Sequence, residues 1–155
     1  MADAGDVRRM QAIIDRCRRD YQLEVVEFGG WQTLGATWAR VPVGIVDHHD
    51  ASSRKSGEWG AIGIIRYGRA DIPAPLSQFQ GARCLDGVPR IGVVAAGRAN
   101  HAGLGGPMWG LVPRDDGNAW LYGCEWANDG LGEPFTAAAH YAHDALFRTV
   151  LEVCS

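Results

Sequence analysis

The sequence predicts a mixed α/β domain of the α+β class, with a central mixed β-sheet flanked by helices. Three observations carry this expectation. Amphipathic helical spacing occupies both ends of the chain, short apolar runs broken by glycine-rich turns fill the middle, and one turn, Leu85-Asp86-Gly87, separates two apolar runs in the manner of a hairpin. The first helix is expected over residues 5–20, where Val7, Met10, Ile13, Ile14 and Cys17 recur at helical spacing among Arg and Asp. LEVVEF, closed by a glycine pair, reads as a strand, and VPVGIVDHH reads as another that delivers His48 at its C-terminal end. Residues 50–75 mix loop and helix. The hairpin occupies 76–100, and NAWLYGCEWAND is a further strand candidate bearing Glu125. In the last segment, 133–155, Phe135, Ala139, Ala142, Leu146, Val150 and Val153 share one helical face, which is expected to pack on the sheet.

Composition narrows the classes. At 155 residues the chain is long enough for one domain with a real core and too short for two comfortable ones, so residues 1–155 read as a single domain. A 46% apolar and 21% charged composition is that of an ordinary globular protein, and the 21 glycines indicate tight turns and long loops. The formal charge of −3, with dispersed basic residues, gives no electrostatic reason to expect nucleic acid as a partner. The charged start MADAGDVRRM is unlike the apolar core of a secretory signal, so synthesis in the cytoplasm is expected. No stretch approaches the roughly 20 apolar residues of a membrane span, so no membrane partner is expected. Cys17, Cys84, Cys124 and Cys154 form no C-x-x-C pair and are expected to be buried free thiols.

Three short stretches carry chemistry. His48 and His49 sit where a strand runs out into a loop, the usual place for ligands and catalytic groups in open sheets. Successive side chains of a strand point to opposite faces, so at most one of the two looks into a given cleft. One can ligate a metal while the other packs, and paired histidines are also ordinary polar loop residues. The second stretch, AAGRANHAGLGGP, sets Arg98, Asn100 and His101 among glycines, which let a backbone approach a ligand closely. Its bland alternative is a turn with an exposed histidine. The third is Glu125, whose partial burial at a strand end would raise its pKa toward general-base duty, and which otherwise simply faces water.

Taken in order, these stretches resemble the zinc-dependent N-acetylmuramoyl-L-alanine amidases of the type-2 amidase and peptidoglycan-recognition-protein superfamily, most of all the amidase domains of actinobacteriophage endolysins. IVDHHDASS is similar to the family's apolar strand running into His-His-Thr-Ala. PLSQFQGARCLDGVPRIGVVAAGRANHAG looks like its stretch ending in AGRANHAG, and YGCEWANDG resembles its Gly-Ile-Glu strand. The match runs from about Gly30 onward, with GRANHAG its most specific part. The resemblance implies that His48 is a zinc ligand, that His101 lines the substrate cleft without binding metal, that Arg98 and Asn100 belong to the substrate loop, and that Glu125 helps to activate the attacking water. His49 matches no ligand. Asp50 stands where threonine is usual.

The resemblance also implies two more zinc ligands beyond the helix that follows the Glu125 strand, in a Gly-His-x-x-Trp-like segment and at an Asp or Cys after a Lys. No residue here corresponds to them, whereas a catalytic zinc takes about three protein ligands plus water. His140 and His143, an H-x-x-H pair in the last helix, are formal substitutes and more simply solvent-facing helix residues. Trp38, Trp59 and Trp109 are candidate cleft walls or core aromatics. The leading expectation is a peptidoglycan hydrolase that reaches the cell wall from the host cytoplasm after the membrane is permeabilised. The alternatives are a peptidoglycan-binding module without catalysis, and one half of a split amidase completed by a C-terminal partner or accompanied by a cell-wall-binding segment.

Overall fold

The structure is a computed structural model that describes residues 1–155. It begins with α1 (Ala4–Tyr21), whose N-terminus is closed by a capping box. Asp3 accepts from the Gly5 and Asp6 amides, and the Asp6 carboxylate accepts from the Asp3 amide. The apolar stripe anticipated from spacing is buried, with Met10, Ile13, Ile14 and Cys17 fully enclosed. α1 leads into β1 (Glu24–Glu27), and β2 (Gly44–His49) follows a long loop. Residues 50–75 hold a 3-10 turn at Arg54–Ser56 and the short α2 (Ile62–Tyr67).

The hairpin expected around Asp86-Gly87 is present as β3 (Phe79–Gly81) antiparallel to β4 (Arg90–Val93). A single helical turn, α3 (Gly117–Trp120), precedes β5 (Leu121–Trp126), and the chain closes on α4 (Ala137–Cys154), N-capped by Thr136. The strand order is β1-β4-β3-β5-β2, all pairs parallel except β3 with β4. The expected mixed sheet with flanking helices is therefore observed.

The two faces of this sheet differ. α1 and α4 pack together over one of them, joined at their surface by the Arg16–Glu152 ion pair, and enclose Phe79, Ile91, Val93, Tyr122, Cys124 and Trp126 with Ala139, Ala142, Leu146 and Val150 of α4. Phe135, expected on that helical stripe, instead precedes α4 and lies at the surface. The opposite face is covered by loops. There one lateral row crosses the whole sheet in register, Val26 of β1, Gly92 of β4, Gln80 of β3, Glu125 of β5 and His48 of β2.

Arg83, just after β3, locks the loops around this face. Its guanidinium donates to the carbonyls of Ser52 and Gly57 and pairs with Glu133 at 3.1 Å, and both side chains are nearly inaccessible. An ion pair so enclosed orders the loops more than it stabilises the fold, since desolvation offsets most of its Coulombic attraction.

Candidate functional site

The site is assembled by the parallel pairing of β2 with β5. In that register His48 lies directly beside Glu125, so the two side chains emerge on the same face, and Gln80 flanks Glu125 on the other side. His101 joins them from the loop after β4. Its ring lies over Gly123, where a Cβ would fall inside the imidazole, so that only glycine at this position lets the loop reach β5. The ring centroids of His48 and His101 are 6.2 Å apart.

His101 is held in one orientation. The Asn118 side-chain oxygen accepts from the amides of His101 and Ala102, at 2.8 and 2.7 Å, and His101 Nε2 donates to the Leu121 carbonyl at 2.9 Å. Nδ1 is then an unprotonated acceptor, and it is buried without a partner. Burial, opposed by the Leu121 hydrogen bond, pushes the His101 pKa down to about 4, so the ring is neutral at physiological pH. His48 Nε2 is likewise buried and unpartnered, and burial lowers the pKa of that imidazole as well. Glu125 has no hydrogen-bond donor from the protein. Burial, and secondarily the charge of Asp50, raises its pKa to about 7. A carboxyl poised there can take or give a proton near neutrality.

Asp50, marked in the sequence only as a departure from the usual threonine, organises the site. One carboxylate oxygen accepts from the Ser52 amide and hydroxyl and from the Asn128 amide, the other from the Ala61 amide and from Gln80 Nε2 at 3.1 Å. Pinning the Gln80 amide in this way leaves its carbonyl oxygen buried and unpaired beside Glu125 on the neighbouring strand. A polar residue two positions after a candidate ligand, and a glutamine in the middle of an apolar strand, were the available sequence signals.

The remaining candidates lie apart. Arg98 and Asn100 border a shallow groove with Thr33, Ala36 and Pro75, where Asn100 Nδ2 donates to the Pro73 carbonyl, and neither lines the cavity at His48. That cavity, about 150 Å³, is bounded by Val46, Met108, Val112, Pro113 and the glycines of the 103–117 loop. Glu125 opens instead onto an adjoining depression of about 270 Å³ with His49, Asp50, Ala61 and Leu76. Trp38 belongs to the core, donating to the Ala96 carbonyl and packing on Tyr122, and Trp59 packs edge-on against Phe28. Trp109 is 72% exposed on the loop beside the His48 cavity.

His140 and His143 lie on α4, across the sheet from His48, so they cannot complete a ligand set with it. His143 contacts Asp47, whose side chain leaves β2 on the face opposite to His48. No three His, Cys, Asp or Glu side chains converge to hold a metal ion anywhere in the fold. The four cysteines are free, three of them buried, and burial raises the thiol pKa of Cys17 to about 11. No helix is long and apolar enough to cross a membrane. Comparison with protein-family models, curated proteins and solved structures gave no match to this chain.

Proposed function

We propose that this domain acts on peptidoglycan as its sequence resemblance implies, as an N-acetylmuramoyl-L-alanine amidase domain of the phage-endolysin kind whose residues supply the proton-transfer part of the site. The observation that carries the reading is the in-register pairing of His48 with Glu125, with His101 brought against them by Gly123. These are three of the five residues that the resemblance singled out, and they come from three separate segments of the chain; Arg98 and Asn100 lie on another groove.

Hydrolysis of an amide requires that water lose a proton as it attacks the carbonyl and that the departing amine gain one. Glu125 is suited to both steps, since its carboxyl titrates near neutrality and is not tied up by any protein donor. Neutral His101, anchored through Nε2, keeps Nδ1 as an unpartnered acceptor buried beside His48. Orientation by such fixed groups lowers the entropic part of the barrier.

The resemblance also implies zinc, which supplies Lewis acidity in such enzymes. His48 offers one buried, unpartnered nitrogen, but a catalytic zinc takes about three protein ligands and the chain brings no such trio together. The residues present do not by themselves fit a zinc centre, and the proton chemistry above is assigned to Glu125 alone. This mismatch favours a second reading, a module that grips the muramyl peptide without cutting it.

The test is to incubate the protein with a muramyl-L-alanyl peptide, with and without added zinc, and to follow release of the alanine amine by mass spectrometry beside retention on sedimented cell walls. Cleavage that Glu125→Gln abolishes supports the hydrolase. Retention without cleavage supports the binding module. Absence of both sinks the assignment to peptidoglycan.

A further inference from the structure

The opposite face of the same two strands holds a second cavity, independent of the cleft at His48. It measures about 190 Å³, roughly six times the volume a water molecule occupies in the liquid, and is lined by Asp47, Trp126, Phe135, Ala139, His140 and His143. Its walls are rings at close range. Trp126 stands 5.5 Å from His143 and 6.5 Å edge-on from Phe135, and Phe135 lies 5.7 Å from His140.

The protein leaves two polar groups of this cavity without a full set of partners, a buried donor and a solvent-exposed acceptor. Trp126 is 3% exposed and its indole N–H has no partner. The benzo edge of that indole lies on Gly81, where a Cβ would fall inside the ring, so the N–H edge is turned away from β3. Buried donors are almost always paired, and an unpaired one carries a cost comparable to a lost hydrogen bond. The second group is the Asp47 carboxylate. His143 Nε2 sits 3.1 Å from its Oδ2, which leaves Oδ1 without a protein partner.

The cavity therefore offers a donor that cannot accept, an acceptor that cannot donate, and an apolar surface made by Phe135 and Ala139. A secondary amide meets all three demands at once. Its carbonyl accepts from the indole, its N–H donates to the carboxylate, and a methyl on the acyl carbon packs against the apolar wall. We propose that this cavity is a binding site for an acetamido group, such as that of an N-acetylated amino sugar or an N-acetylated peptide. Phe135, 39% exposed at the rim, is the side chain that yields to let the acyl oxygen reach the indole. The site does not depend on whether the cleft at His48 cuts peptidoglycan.

The indole N–H resonances of the six tryptophans provide the test. Trp126 is assigned by its disappearance in Trp126→Phe, and N-acetylglucosamine, N-acetyl-L-alanine methylamide and glucose are then titrated into the wild-type protein. The expected result is a saturable shift of the Trp126 resonance with one or both acetamido compounds and none with glucose. Response to the sugar alone identifies a glycan source, and response to the peptide alone a peptide source. Asp47→Asn, a surface change that leaves the core intact and exchanges a charged acceptor for a neutral one, is expected to weaken binding roughly fivefold. The proposal is overturned if the Trp126 resonance stays still with both acetamido compounds, if glucose moves it equally, or if Asp47→Asn binds as the wild type does.

Discussion

Strands β2 and β5 present two different chemistries from the same twelve residues. On the loop-covered face, His48 and Glu125 stand side by side with buried nitrogens or an unpaired carboxyl, and their pKa values are displaced toward the uncharged forms. On the helix-covered face, one residue away, Asp47 reaches His143 of α4 and Trp126 lies in the core cluster. The alternation of side chains along a strand is the whole cause of the difference. Groups left without partners under loops keep their reactivity, whereas groups met by a helix are absorbed into packing. The first face holds the groups suited to proton transfer, while the second keeps the indole N–H of Trp126 without a partner, and the comparison can be broken or sharpened by substitution on either.

The largest effect is expected at Glu125. If the cleft cuts a muramyl amide, Glu125→Gln lowers turnover by about 100- to 10,000-fold, the usual worth of a general base, with little change in substrate retention. Turnover within about threefold of wild type would remove Glu125 from the chemistry. A stability change of the order of 1–3 kcal/mol accompanies it in a pH-dependent way. Glu125 binds its proton more tightly folded than unfolded, so its contribution is fully present below pH ~4.5 and is lost as pH rises through about 7. His101 has the opposite sign. Its folded pKa of about 4 lies below the ordinary histidine value, so its contribution is present above pH ~6.5 and is lost as pH falls toward 4. The two slopes oppose each other between about pH 4.5 and 6.5. His48, whose pKa burial also lowers, adds to the His101 slope, so urea unfolding across that range should show stability rising less steeply with pH in the wild type than in Glu125→Gln. Parallel profiles would mean that the carboxyl is not displaced by burial.

The next effect tests the helix-covered face through its packing. Gly81→Ala places a methyl where the Trp126 ring lies, and neither the strand nor the indole has room to move without disturbing the core. Overpacking of this kind costs about 1–3 kcal/mol, read as a lower urea midpoint at unchanged slope. A neutral result would show that Trp126 is not seated on β3 as described.

How much of this was legible beforehand depends on the range of the interactions. The two long helices and the hairpin were visible because local spacing and an Asp-Gly turn specify them without reference to the rest of the chain. The stripe Met10, Ile13, Ile14 and Cys17 is buried as its period implied. His48, Glu125 and His101 were named from motifs, and the register of β2 with β5 places the first two together. What the sequence could not reveal was partnership at long range. Nothing local in Asp50 announces that it gathers donors from Ser52, Ala61, Gln80 and Asn128, and nothing in Gly123 says that a histidine loop lies over it. Arg98 and Asn100 were grouped with His101 because they adjoin it in sequence. Arg98 and Asn100 share the groove beside Pro75, whereas His101 is directed to the Leu121 carbonyl on β5.

The smallest effect is the sharpest test of the idea that the two faces are independent. Asp47 and His143 are both partly exposed, so solvent screens their contact, and Asp47→Asn should change the unfolding free energy by less than about 1 kcal/mol. His143 keeps its stacking on Phe147, 4.2 Å between centroids, and its contact with Asp144, so the imidazole has reason to stay in place. A change of 2 kcal/mol or more, or a shift in the pH profile assigned above to His101 and Glu125, would show that strain passes through the backbone of β2 from Asp47 to His48. In that event alternation would separate the side chains of the two faces without separating their energetics, and the cleft would have to be understood together with α4.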